Sequence, residues 1–397
     1  MPLTPPRRRG ITPSRPLHWV VLVAFVVVVA TPIAAYTRSL ASARVETSVP
    51  DRLTDAEFWT MVTEFSEPGG YFRSDNLVSN EVTFQHVIPE LVRDRAPGGV
   101  YVGVGPDQNF TYVVAMQPKI AFVIDIRRQN MLQHLFYKAL IEMSDDRAEF
   151  LSRLFARPRP AGLDSALLAG ELFDAFQSVP PDSGFFRETH DAVRNRLVEQ
   201  HGFDLSDEDL QGIEYVHLAF ATEGPQLTYS FGTASRMSRW RRMPTYEELM
   251  VQTDMDGLPR GYLSSEAAYG SLRDLQMRNL IVPIVGDFAG ERAVRAVGRW
   301  VREQHATVTA FYTSNVEQYL FQSPRSWRAF YANVATMPLD AHSTFVRAAF
   351  NRYAVQHSPW QASGPRSVTL LSPIAELLKA VDDGRVTSYY DVIEMSH

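Results

Sequence analysis

One segment constrains this chain more than any other: "GGVYVGVGPDQNFTYVVAMQPKIAFVIDIRRQN", residues 98 to 130. Two short, unbroken apolar runs flank a stretch whose apolar residues recur at helical spacing. The first run ends at Gly103 and Gly105, a short helix is expected from about Asp107, and the second run ends at Asp125, twenty residues beyond Gly105. The same order returns in "NLIVPIVGDFAGERAVRAVGRWVREQHATVTAFYTSNVEQYL", with "GDFAG" after its first run and "TSN" after its second. Strands alternating with helices predict an α/β fold with a mostly parallel, Rossmann-like sheet covered by helices on both faces.

Between these units the pattern is less regular. "NMLQHLFYKALIEMSDDRAEFLSRLF" reads as one or two helices that "RPRP" ends. Residues 157 to 275 read as a mixed insertion, with helices at "GELFDAF" and "THDAVRNRLVEQ" and strands at "EYVHLAF" and "LTYSF". Thr54 and Glu57 form a capping box ahead of "AEFWTMVTEF". The aromatic residues of "FWTMV", "FYKAL" and "SWRAFYANV" are spaced as core-facing helix stripes.

The N-terminus bears on location. Residues 1–16 form a basic tail carrying Arg7, Arg8, Arg9 and Arg15; residues 17–35 are an apolar run broken only by His18 and Thr31. That length suits a transmembrane helix, and the arginines ahead of it place the N-terminus in the cytoplasm and the main domain outside. The alternatives are a cleaved signal peptide, for which "ASA" at Ala41 to Ala43 is a suitable site, and a buried helix. Residues 36–50 read as a linker and 51–397 as the main domain.

The formal charge of −6, without a basic block, argues against nucleic acid as a partner. There is no cysteine, which removes thiolate catalysis and thiolate metal sites. Ten histidines are scattered without HExxH or paired spacing, so no metal is expected. No P-loop and no G-x-S-x-G elbow occurs.

Glycines at a strand end followed by an acid at this distance match part of a nucleoside-binding fingerprint, in which the acid takes ribose hydroxyls. The same glycines also suit a plain strand-to-helix turn. Parallel sheets bind ligands beyond the carboxyl ends of their strands, so Asp287, Asn315 and Glu317 are expected on the same rim as Gly103, Gly105 and Asp125. Asp287 and Asn315 serve equally well as helix N-caps. "SDNLVSNE", with Asp75, Asn76, Asn80 and Glu81, reads either as a ligand lid or as an Asx-type turn.

The glycine strand and the acid after the next strand resemble a class I S-adenosylmethionine-dependent methyltransferase. More closely, "GGVYVGVGPDQNFTY", "DIRRQN", "SDNLVSNE", "GDFAG" and "FYTSNVEQYL" resemble a bacterial family catalogued as a domain of unknown function with a methyltransferase-like fold. The resemblance implies that Gly103, Gly105, Asp107, Asn109 and Asp125 bind a cofactor, S-adenosylmethionine. Tyr101 and Asp107 stand where that pattern usually has an acid and a third glycine. A charged Asp107 would repel the cofactor's carboxylate. No "DPPY" tetrad follows a later strand, which argues against base methylation. Any transfer would rest on proximity, with Glu81, Asp287 or Tyr312 as the proton acceptor.

Three functions follow as expectations. The first is a membrane-anchored methyltransferase-like enzyme, which an extracytoplasmic location would separate from its cofactor. The second is a ligand-binding or sensor module that has lost the cofactor, and the third is an interaction scaffold. The lipid bilayer and a small molecule are the expected partners.

Overall fold

The strand Val100–Gly103 (β1) is buried at all four positions and Ile120–Asp125 (β2) at all six. Burial of every residue, with no alternation, is the signature of interior parallel strands covered on both faces. The computed structural model describes residues 48–93, 97–230, 243–350 and 367–397. The proposed membrane segment and its basic tail therefore lie outside the described residues. Among the described residues no helix is long and apolar enough to cross a membrane.

Four further strands complete the sheet: Ile281–Val285 (β3), Val308–Ser314 (β4), Thr344–Phe350 (β5) and Ser367–Pro373 (β6). Their order is β3-β2-β1-β4-β5-β6. All pairs are parallel except the last, where β6 runs antiparallel to β5. β3 carries Pro283, which it tolerates because it is an edge strand and loses no ladder bond on its open side. β1 has β2 on one side and β4 on the other, so the chain reverses direction across the sheet at β1.

The helices that position the strand ends are Asp55–Glu64 (α1), Gln108–Met116 (α2), Arg128–Glu142 (α3), Asp207–Glu223 (α4), Ala293–Glu303 (α5), Val316–Leu320 (α6) and Pro324–Val334 (α7). α1 begins at the Thr54 capping box, with Glu57 returning a bond to the Thr54 N–H at 2.8 Å. α2 joins β1 to β2 and α5 joins β3 to β4, the two crossovers read from the sequence. α7 covers β4, where Phe311 packs with Phe288 and Phe330 at ring separations of 5.0 and 5.9 Å.

The long segment between β2 and β3 departs from expectation. "EYVHLAF", expected as a strand, lies inside α4. Ser206 and Asp209 form a capping box that starts this helix, and Ile213, Val216, His217, Phe220 and Ala221 recur on its buried side at three- and four-residue steps. At "LTYSF" only an isolated bridge is found, Thr228 with Thr245, and Phe231 lies outside the described residues. "GELFDAF" and "THDAVRNRLVEQ" are helical, the latter ending in a π-helical turn, Asn195–Gln200.

Candidate functional site

The carboxyl ends of β3, β2, β1 and β4 open into a cavity of about 480 Å³. Open α/β sheets hold ligands here, beside the strand where the order reverses, and the volume is that of a small-molecule pocket. Asn76, Asn80, Glu81, Gly105, Asp125, Asp287, Tyr312 and Asn315 line it. Gly103, Asp107, Asn109, Asp75 and Glu317 do not, although the sequence suggested each of them.

The glycine turn is built from within. Asn109 is fully buried and donates to the carbonyls of Val104, Gly105 and Pro106 at 2.9, 3.2 and 2.7 Å, while its side-chain oxygen accepts from the Tyr101 hydroxyl at 2.9 Å. A Cβ on Gly103 would fall on Asn109 Oδ1 and against the Tyr101 ring. Gly103 is therefore required by its own neighbours, whatever lies in the cavity. Gly105 has φ of +80° and faces Asn76 of the preceding loop. His134 Nε2 sits 2.9 Å from the Gly105 carbonyl, and burial pushes its pKa down to about 4, so the neutral ring donates to that oxygen.

Asp125 stands at the end of β2, where the fingerprint places it, but its carboxylate is held by Arg127. The guanidinium Nε donates to Oδ1 at 3.0 Å and Nη2 to Oδ2 at 2.8 Å; the Arg127 backbone N–H adds a third bond to Oδ1 at 2.9 Å. Nη1 of the same arginine reaches the carbonyls of Ser74 and Asp75. With its amide oriented to satisfy both ends, Asn76 accepts from Nη2 and donates to the Val78 carbonyl, each at 3.3 Å. The loop expected as a lid is thus tied to the end of β2. Asp75 points outward and accepts from Tyr215 at 2.7 Å.

Asp107 turns away from the rim. It is 2% exposed and accepts from the Tyr262 hydroxyl at 2.7 Å, which in turn meets the Tyr246 hydroxyl at 2.7 Å. Burial raises its pKa to about 7, against the pull of those hydrogen bonds. The repulsion expected between Asp107 and a ligand carboxylate has no geometric basis, because the group faces the helical segment and not the cavity.

Glu81, unlike Asp107, does line the cavity. It is 1% exposed, and its carboxylate accepts from Gln108 Nε2 at 2.8 Å, from the Tyr312 hydroxyl at 2.7 Å and from Ser314 Oγ. No cation pairs with it among the described residues. Burial raises its pKa, and the three neutral donors only partly offset that. Ser314 takes up φ of +50°, a left-handed conformation costly for a residue with a Cβ, at the point where the β4–β5 register shifts.

On the remaining rim, Asp287 accepts from the Ala289 N–H at 2.9 Å in a short turn. Asn315 stands at the N-terminus of α6 without a side-chain cap bond, and neither its amide nor that of Asn80 has a hydrogen-bond partner among the described residues. Glu317 lies behind the rim, bonded to Arg347 at 2.8 Å, to Tyr331 at 2.6 Å and to Thr313 at 3.1 Å. The sequence reading missed Arg127, Gln108 and Ser314. "DIRRQN" offered the one usable signal, an arginine two residues after a strand-terminal acid.

Residues 76–387 match the family described as Domain of unknown function (DUF7790). No curated protein matches the chain.

Proposed function

The chain belongs to that family, and we propose from its rim cavity that it binds a nucleoside-like small molecule. S-adenosylmethionine is the first candidate, in a methyltransferase-like domain that residues 17–35 tether to a lipid bilayer; the arginines ahead of that segment favour the extracytoplasmic side, where the domain would be separated from this cofactor and would take another nucleoside-like ligand. The observation that carries the reading is Glu81: a buried carboxylate without a countercharge, aimed into a cavity at the reversal point of a parallel sheet. Such placement is costly for folding alone and is characteristic of functional sites. S-adenosylmethionine, when bound, supplies an activated methyl group. The chain would contribute hydrogen bonds from Asn80 and Asn315, the unshared lone pair of Asp125 Oδ2 for a ligand hydroxyl, and Glu81 as proton acceptor, with Asp287 and Tyr312 as the other candidates.

A second reading, a non-catalytic ligand-binding or sensor module that has lost the cofactor site, draws on one observation. Arg127 takes up most of the acceptor capacity that Asp125 would offer to a ribose. Calorimetric titration of the full chain with S-adenosylmethionine separates the two. Micromolar binding that Asp125→Ala abolishes supports the nucleoside site. No heat up to millimolar ligand rejects it and leaves the second reading. Protease accessibility in sealed membranes tests the tether and the side on which the domain lies.

A further inference from the structure

We propose that the cavity selects ligands whose reactive end carries a positive charge, a sulfonium or an ammonium, and seats that charge against Glu81. The inference rests on the nucleoside-site reading and adds a charge rule to it. Three carboxylates line the cavity: Glu81, Asp125 and Asp287. Arg127 neutralises Asp125, and Arg73, the other arginine on the lining, is exposed. Neither Glu81 nor Asp287 has an ion pair among the described residues, and of the two Glu81 is the buried one, at 1% exposure.

Only neutral donors reach Glu81, from α2 through Gln108 and from β4 through Tyr312 and Ser314. The titratable groups packed around it, Tyr101 of β1, Tyr112 of α2 and Tyr312 of β4, are phenols that burial holds neutral. A carboxylate so placed is stabilised by a proton or by a bound cation, and it repels an anion. Tyr319 also lines the cavity, and a ring face favours the same sign of charge; the Phe72 ring, which meets Tyr319 edge to face at 5.4 Å, already has the Arg127 guanidinium over it at 5.9 Å. The geometry gives the ligand a direction. Asp125 stands at the end of β2, and Glu81, from the loop ahead of β1, is held against the end of β4 by Tyr312 and Ser314; β1 lies between those two strands. A ligand that places its hydroxyls toward β2 brings its charge to β4.

S-adenosylmethionine and S-adenosylhomocysteine share every group except the sulfonium methyl, so they isolate the rule. Titrated by calorimetry into the full chain, the sulfonium is expected to bind at least about tenfold tighter than the thioether. Glu81→Gln keeps the side-chain shape, and it is expected to bring that ratio close to one while the thioether keeps its affinity within a few fold. Equal binding of both ligands to the unaltered chain overturns the charge rule and leaves the nucleoside reading standing. A ratio that survives in Glu81→Gln overturns the assignment to Glu81. Failure of both to bind at millimolar concentration overturns the nucleoside reading, and the rule falls with it. The ratio in the unaltered chain decides the rule even if the variant does not fold.

Discussion

Arg127 holds both carboxylate oxygens of Asp125 while its Nη1 reaches the carbonyls of Ser74 and Asp75, so one guanidinium fastens the strand end to the loop above it. Both side chains are nearly buried, at 7% and 6% exposure. Replacing Arg127 by Met leaves a buried charge alone and is expected to cost about 3–5 kcal/mol. Replacing both, Arg127→Met with Asp125→Asn, should cost clearly less. Urea unfolding gives both values, and limited proteolysis of Arg127→Met should show faster cleavage between residues 70 and 80. Equal stability of the two variants would show that the pair does no such fastening.

Gly103→Ala is expected to destabilise the chain by about 1–3 kcal/mol, because the new methyl displaces Asn109 and through it the three carbonyls of the turn. A thermal melt measures it. An unchanged melting temperature would mean that the turn accommodates the methyl and that the glycine answers to something else.

The buried Asp107 predicts a pH dependence of definite sign. Its folded pKa, about 7, lies above the ordinary carboxyl value of 3.8, so between those limits the folded chain holds a proton that the unfolded chain has released. Stability contributed by this group therefore falls as pH rises through that window, by up to about 1.4 kcal/mol per pH unit. Asp107→Asn should remove that slope. Denaturant titrations of both proteins from pH 4.5 to 7.5 supply the difference, and parallel curves would refute the assignment.

Glu317 and Arg347 form an ion pair with neither side chain exposed, and Arg347 Nη1 also donates to Ser372 and Ser396 at 2.6 and 2.7 Å. Arg347→Met or Glu317→Gln alone should each cost about 3–5 kcal/mol. The double variant should recover part of the loss, and a double-mutant cycle by chemical denaturation reads the coupling. A coupling near zero would contradict the pairing.

The core of the sheet was legible because three of its strands announce themselves twice, by continuous apolar runs and by the glycines and acids that end them: β1, β2 and β3 satisfy both, and β4, which ends in neither, is marked by its place after the crossover helix α5. β5 and β6 passed unread. "TFVRAAF" carries Arg347 in the middle of a buried strand, and only the unseen partner Glu317 makes that acceptable. "EYVHLAF" misled because five apolar residues in seven suit a strand as well as a buried helix, and the capping box upstream was the signal that decides. At the site, Glu81 and Asp125 could be picked out by residue type and place. Their different roles could not, since what separates them is one arginine for Asp125 and none for Glu81, a matter of side-chain direction in three dimensions.

Three consecutive residues at the start of α2 leave the backbone in three directions. Asp107 reaches Tyr262 in the helical segment between β2 and β3, Gln108 reaches Glu81 at the cavity, and Asn109 locks the glycine turn. This single turn of helix is a shared pivot for parts of the chain that lie far apart in sequence. Neither the cavity wall nor the helical segment can be redesigned or repositioned alone, because a rotation that suits one side chain withdraws the other two from their partners.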